Sequence, residues 1–163
     1  MTGLATRNDV RLAWLSTLRL YLGFIFAGNL LWETLHLPLY TLGLTGSVGE
    51  KTFAVLHCTG GDVLIALATL ALALVVAGDE QWPERSFIRV AAIAIPLGIA
   101  YTAFSEWRNV YVQNSWSYAS SMPVISVMGF KIGLSPLFQW LVVPLTAFYL
   151  ARQITLRKRG QRS

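Results

Sequence analysis

Four apolar stretches, at about residues 12–37, 52–77, 86–107 and 134–153, constrain this chain more than any other feature. Each reaches or exceeds the roughly 20 residues that a helix needs to cross a hydrocarbon core of about 30 Å. A strand alone in lipid would leave its backbone N–H and C=O groups without partners, so each stretch should be helical. With 55% hydrophobic and only 13% charged residues, the composition suits a bilayer better than water. The expected fold is all-α: a polytopic integral membrane protein, one four-transmembrane-helix bundle over residues 1–163, with a long third loop and a basic tail at 154–163.

The net charge of +5 suggests anionic partners, and its placement says which. Arg7, Arg11, Arg19, Arg85, Arg89, Arg152, Arg157, Lys158, Arg159 and Arg162 flank one side of the four stretches, whereas only Lys51, Arg108 and Lys131 fall on the other. This asymmetry places both termini and the second loop in the cytoplasm. The tail then reads as a topology anchor touching anionic membrane lipid. The basic residues are not interleaved with aromatics as a strand-binding surface would need, so nucleic acid is not an expected partner.

Arg7 and Arg11 before an apolar run also resemble the start of a secretory leader. The run exceeds a leader core and no A-x-A site follows, so it reads as the first membrane helix. A bacterial inner membrane is the expected location. A homo-oligomer or a larger membrane complex would change which helix face meets lipid. Cys58 is the single cysteine, which leaves no intrachain disulfide and no multi-cysteine redox or metal motif.

The third loop, "RNVYVQNSWSYASSMPVISVMGFKIG" from Arg108 to Gly133, is long for a compact bundle and rich in aromatics. Its apolar part is too short to span. A lid over the bundle, a re-entrant segment and an interfacial anchor are the readings it supports.

The ionisable residues inside the spans are unevenly distributed. Glu33 and His36 lie near the end of the first helix, His57 near the start of the second, and Glu106 near the end of the third. Asp62 lies about 7 Å deeper than His57 at 1.5 Å per residue. Gln139 opens the fourth helix on the same side. The opposite half, with "IALATLALALVVA" and "VAAIAIPLGIA", holds nothing ionisable, which argues against a proton or ion path through the whole membrane. A pocket in the outer leaflet is expected instead.

Helical phase sharpens this. Asn29, Glu33 and His36 fall at i, i+4 and i+7, as do Thr102, Glu106 and Asn109, making one polar stripe on each helix. His57 and Asp62 are five apart, about 140° around a helix, so either "TGG" distorts that helix or the two residues meet different neighbours. Gly60 and Gly61 would let an adjacent helix approach closely. Trp32, Trp107, Trp116 and Trp140 are the aromatics expected beside these groups.

Several chemistries use such a set. Glu33 and His36 form a Glu-x-x-His pair that, with His57, is a candidate site for a divalent metal, with Asp62 and Glu106 to complete the shell. Metal-free acid–base catalysis on a lipid or isoprenoid-like molecule would use Glu33 and Glu106 as proton donors and His36 and His57 as bases. Two histidines on adjacent helices suit haem ligation less well, since carboxylates beside them are not expected ligands. The non-catalytic alternative is a packing network in an accessory or scaffold subunit, with His36 bonded to Glu33 and Asp62 paired to Arg108 or Trp116.

Overall fold

The computed structural model describes residues 7–79 and 82–160. Helix α1 spans Arg7–His36, a 3-10 turn covers Leu37–Leu39, and the short α2 covers Thr41–Thr45. Helix α3 spans Val48–Ala77, and α4 spans Phe87–Trp107 before running into a π-helical turn at Arg108–Val112. A hairpin of β1 (Val124–Val127) and β2 (Phe130–Gly133) precedes α5, Leu134–Gly160. Four segments are long and apolar enough to cross a membrane: Ala13–Leu39, Val48–Ala77, Phe87–Val112 and Leu134–Lys158. The chain is an all-α four-helix integral membrane protein.

The helix ends depart from the hydropathy boundaries for local reasons. Helix α3 starts at Val48 because Ser47 and Glu50 form a capping box, with the Ser47 N–H donating to Glu50 Oε2 at 2.8 Å and the Glu50 N–H to Ser47 Oγ at 3.3 Å. Polar composition makes this turn read as loop. Helix α5 runs on through the basic segment to Gly160, since arginine, lysine and glutamine are good helix formers. Thr155 is buried there and shares a hydroxyl–hydroxyl bond with Thr17.

Helix α1 packs on α3 and α5, and α4 packs on the same two, so the helices form a four-sided bundle. Around Tyr21, Ile25, Leu70, Val90 and Phe148 the half that carries the termini is filled with apolar side chains. Tyr21 stacks on Phe148 at 4.5 Å between centroids, Trp14 meets Trp82 edge-on, and the Arg152 guanidinium sits 4.8 Å over the Phe87 ring. Leu31, Leu35, Leu72, Val75 and Ile88 face outward, as a lipid-facing surface requires.

Close helix approach occurs at glycines other than those expected. A Cβ at Gly28 would press on Val143, and one at Gly98 would overlap the Trp140 ring. A Cβ at Gly60 or Gly61 meets nothing within 4 Å. The "TGG" glycines therefore do not serve packing, and α3 passes through them without a break.

The third loop is built onto the first. Tyr40 and Tyr118 form an antiparallel bridge, the Thr41 N–H donates to the Ser117 carbonyl at 3.0 Å, and the Ala119 N–H donates to the Leu39 carbonyl at 2.9 Å. The segment beyond folds into the hairpin, whose two-residue turn, Met128–Gly129, has positive φ at both positions (50° and 85°). Every residue of β1 is exposed, whereas Met122, at the start of the apolar part of the loop, is buried. Tyr111 fastens the hairpin with its hydroxyl, which donates to the Lys131 carbonyl and accepts from the Lys131 N–H.

Candidate functional site

At the end of the bundle away from the termini, the four helices and both loops enclose a cavity of about 450 Å³. Glu33 and His36 reach it from α1, His57 and Asp62 from α3, Glu106 and Asn109 from α4 and its π-turn, and Gln139 and Trp140 from α5. Trp116 closes it from the third loop. Asn29, 1% exposed, lies beneath it on the α1 stripe. Like Asn29, Trp32 and Trp107 do not line it: Trp32 packs against the apolar core and donates from Nε1 to Ser135 Oγ at 3.2 Å, and Trp107 meets the Phe130 ring edge-on.

Helical phase accounts for α1 and α4. Asn29, Glu33 and His36 are all buried on one face, and so are Thr102 and Glu106 on theirs. The π-turn widens the helix immediately after Glu106, where Asn109 folds back to donate from Nδ2 to the Ser105 carbonyl at 2.9 Å. Single π-turns of this kind recur at functional sites.

Gln139 ties three helices together. Its Nε2 lies 2.9 Å from Asn29 Oδ1, 2.9 Å from Glu33 Oε1 and 2.9 Å from Asp62 Oδ2. An amide nitrogen carries two hydrogens, so three acceptors around it leave one unserved. Glu33 and Asp62, from two different helices, thus converge on one amide nitrogen. The second oxygen of Asp62 accepts from Trp140 Nε1 at 3.3 Å, so its partners are Gln139 and Trp140 rather than Arg108 or Trp116. Arg108 stays exposed at the rim, and Trp116 Nε1 is buried without a partner.

His36 is held at both ring nitrogens. Nε2 is 3.1 Å from Glu33 Oε2 and Nδ1 is 3.0 Å from Ser135 Oγ. Across the cavity, Glu106 accepts from Tyr40 at 3.2 Å on each oxygen and from Tyr118 at 2.6 Å. Tyr118 in turn accepts from the Gly133 N–H at 3.0 Å, and Tyr40 lies edge-on to His36. Burial, and then the Glu106 charge, push both phenols above the ordinary tyrosine value. Both therefore remain hydrogen-bond donors at neutral pH.

Tyr40, Tyr118 and Ser135 are functional neighbours that sequence reasoning missed. Each sits in a loop or at a helix start, outside the apolar periodicity, and nothing in the sequence announces that Tyr118 folds back onto Glu106. Cys58, Tyr101 and Arg108 also line the cavity.

His57 stands apart from the other residues of the expected metal set. It borders the cavity but is exposed, and its ring stacks on Phe53 at 5.4 Å. Five positions from Asp62 on an unbroken helix, it lies about 140° around α3 from that carboxyl and makes no hydrogen bond to Glu33 or His36. Among the described residues no three His, Cys, Asp or Glu side chains are arranged to hold a metal ion. Haem ligation fits no better, because both nitrogens of His36 already have partners.

The exposed part of the lining, His57, Leu64, Tyr101 and Arg108, runs along the α3–α4 seam. Leu64 is 67% and Tyr101 50% exposed, so this side of the cavity meets the lipid-facing surface. The polar groups sit at the back, against α1 and α5. No family model matches this chain, and no curated protein or solved structure matches it either.

Proposed function

We propose that the cavity carries out proton transfer on a lipophilic molecule that enters from the membrane between α3 and α4. The observation that carries this reading is the convergence of the Asp62 and Glu33 carboxyl groups on a single Gln139 amide, with a further, tyrosine-held carboxyl group at Glu106 in the same cavity. Two acid centres in different environments are the arrangement that general acid–base chemistry uses.

In this reading Asp62, the carboxyl less buried than Glu33 or Glu106, acts in its acid form and gives its proton to one substrate atom. Glu106 takes a proton from a neighbouring atom, and return of that proton restores the pair. The substrate is isomerised, and the step balances without an oxidant or a second reactant. Tyr40 and Tyr118 disperse the charge on Glu106 before it accepts. His36 does not touch the substrate; with Ser135 it positions Glu33. The excess of basic residues at the other end of the bundle supports placing the cavity in the outer leaflet, with both termini cytoplasmic.

The test works on a mixture, without choosing a substrate beforehand. Purified protein in nanodiscs is incubated with a lipid extract in heavy water, and the recovered lipids are analysed by mass spectrometry. Deuterium at a carbon position of one lipophilic compound, present with wild type and lost with Asp62→Asn and Glu106→Gln, is the expected result. Equal labelling with wild type and both variants, or none with any of them, would refute the reading.

A further inference from the structure

The same cavity has the character of a receptor for a particular kind of head group. Its interior carries three carboxyl groups, Glu33, Asp62 and Glu106, and no lysine lines it. Glu33 has His36 as an ionic neighbour at 3.1 Å, whereas no cationic side chain among the described residues makes a salt-bridge contact with Asp62 or Glu106. Even with one of the three carboxyl groups protonated and with His36 charged, these groups sum to no positive charge. Arg108, the arginine of the lining, is exposed at the rim and does not neutralise them.

The walls add a second feature. Tyr40, Tyr101, Trp116 and Trp140 line the space, and Tyr40 and Trp116 meet edge-on with centroids 6.4 Å apart. Aromatic faces beside carboxylates recognise an ammonium group through both charge and ring quadrupole. An anionic head would instead meet three acids, two of them without a cation to offset them.

The third feature is room for a chain. Gly61 lines the cavity and has open space where a Cβ would stand, and Leu64 and Tyr101 border the way out to the lipid-facing surface. We infer that the ligand is a single-chain amphiphile with a cationic, ammonium-type head, the head lying among Asp62, Glu106 and Trp116 and the chain leaving along the α3–α4 seam past Gly61. This inference rests on the cavity being a ligand site, as proposed above, and names the class that site selects. A stable ammonium there takes the place of the positive charge that protonation of a neutral substrate creates.

Isothermal titration of the protein in nanodiscs tests it with three probes of equal chain length: decyltrimethylammonium, decanol and decanoate. Wild type should bind the ammonium saturably and the other two only by partitioning into the bilayer. Gly61→Leu places a side chain in the empty space without a backbone clash and should abolish the saturable phase, leaving the same partitioning. Glu106→Gln should weaken it roughly tenfold, the effect of removing one full charge from a desolvated cation site.

Equal binding of all three heads, tighter binding of decanoate, or ammonium binding that survives Gly61→Leu would each overturn the inference. The two readings also fail separately. Carboxylate-dependent deuterium exchange without ammonium binding would leave the proton-transfer reading standing and remove this one. Saturable ammonium binding without exchange would leave a cation receptor and remove the enzyme.

Discussion

The two ends of the bundle are built on opposite principles. At the end carrying the termini, Tyr21, Phe148, Leu70 and Val90 fill the space between the helices, and Thr17 and Thr155 bond to each other between α1 and α5. At the other end the same four helices enclose a cavity of about 450 Å³ and line it with acids, an imidazole and phenols. Packing in lipid does not require such buried charge, because apolar and small side chains alone hold helices together. One end therefore supplies the rigidity, and the other is held open by it.

That contrast can be broken by substitution. Tyr21→Ala, which empties a fully buried ring site against Phe148, should cost about 3–5 kcal/mol of stability, whereas Asp62→Asn should cost under about 1 kcal/mol. Equilibrium unfolding in mixed micelles measures both, and similar losses would mean that the polar end is a packing network after all. Between these extremes, Gln139→Leu removes the shared donor of Asn29, Glu33 and Asp62 and should cost about 1–3 kcal/mol for the acceptors it strands.

Glycine substitutions sharpen the comparison on a smaller scale. Gly98→Ala should destabilise by about 1–3 kcal/mol, because its methyl overlaps the Trp140 ring. Gly61→Ala should be neutral or stabilising by up to about 1 kcal/mol, because it gains helix propensity and meets only open space. A reversal of that order in thermal denaturation would show that the cavity is not where the geometry puts it.

The smallest effect is alkaline. Because burial and Glu106 raise the Tyr40 and Tyr118 phenols above the ordinary value of 10.0, the neutral form is favoured in the folded state. Their contribution to stability is fully present below that value and is lost as pH rises above it. A spectrophotometric phenolate titration should leave two fewer late-titrating tyrosines in the double variant Tyr40→Phe/Tyr118→Phe than in wild type. An unchanged number would mean that neither phenol is held by Glu106.

Much of this was legible in one dimension. Hydropathy alone locates four membrane helices, since only length and apolarity decide whether a segment crosses lipid. The i, i+4, i+7 spacing marks Glu33, His36 and Glu106 as inward-facing, since periodicity dictates which residues share a helix face. His57 shows the limit: residue type and depth group it with the other titratable residues, but it lies about 140° around α3 from Asp62, stacked on Phe53. Residue type likewise assigns Gly60 and Gly61 to packing, although no neighbour approaches them. The Ser47–Glu50 cap is present in the letters "SVGE" and is hidden by their polarity.

The sequence by itself determined a membrane-spanning four-helix chain, the asymmetry between its ends, and the faces of α1 and α4 that turn inward, because each of these follows from neighbours within a few residues. Only the tertiary structure decided that Gln139 would bring Asn29, Glu33 and Asp62 onto one nitrogen, across 110 positions in the first case and 77 in the last. It also decided that Tyr40 and Tyr118 would close on Glu106 from two different loops. Contacts at such separations depend on how whole helices pack, and the glycines at positions 28 and 98 that set those distances carry no side chain to announce it.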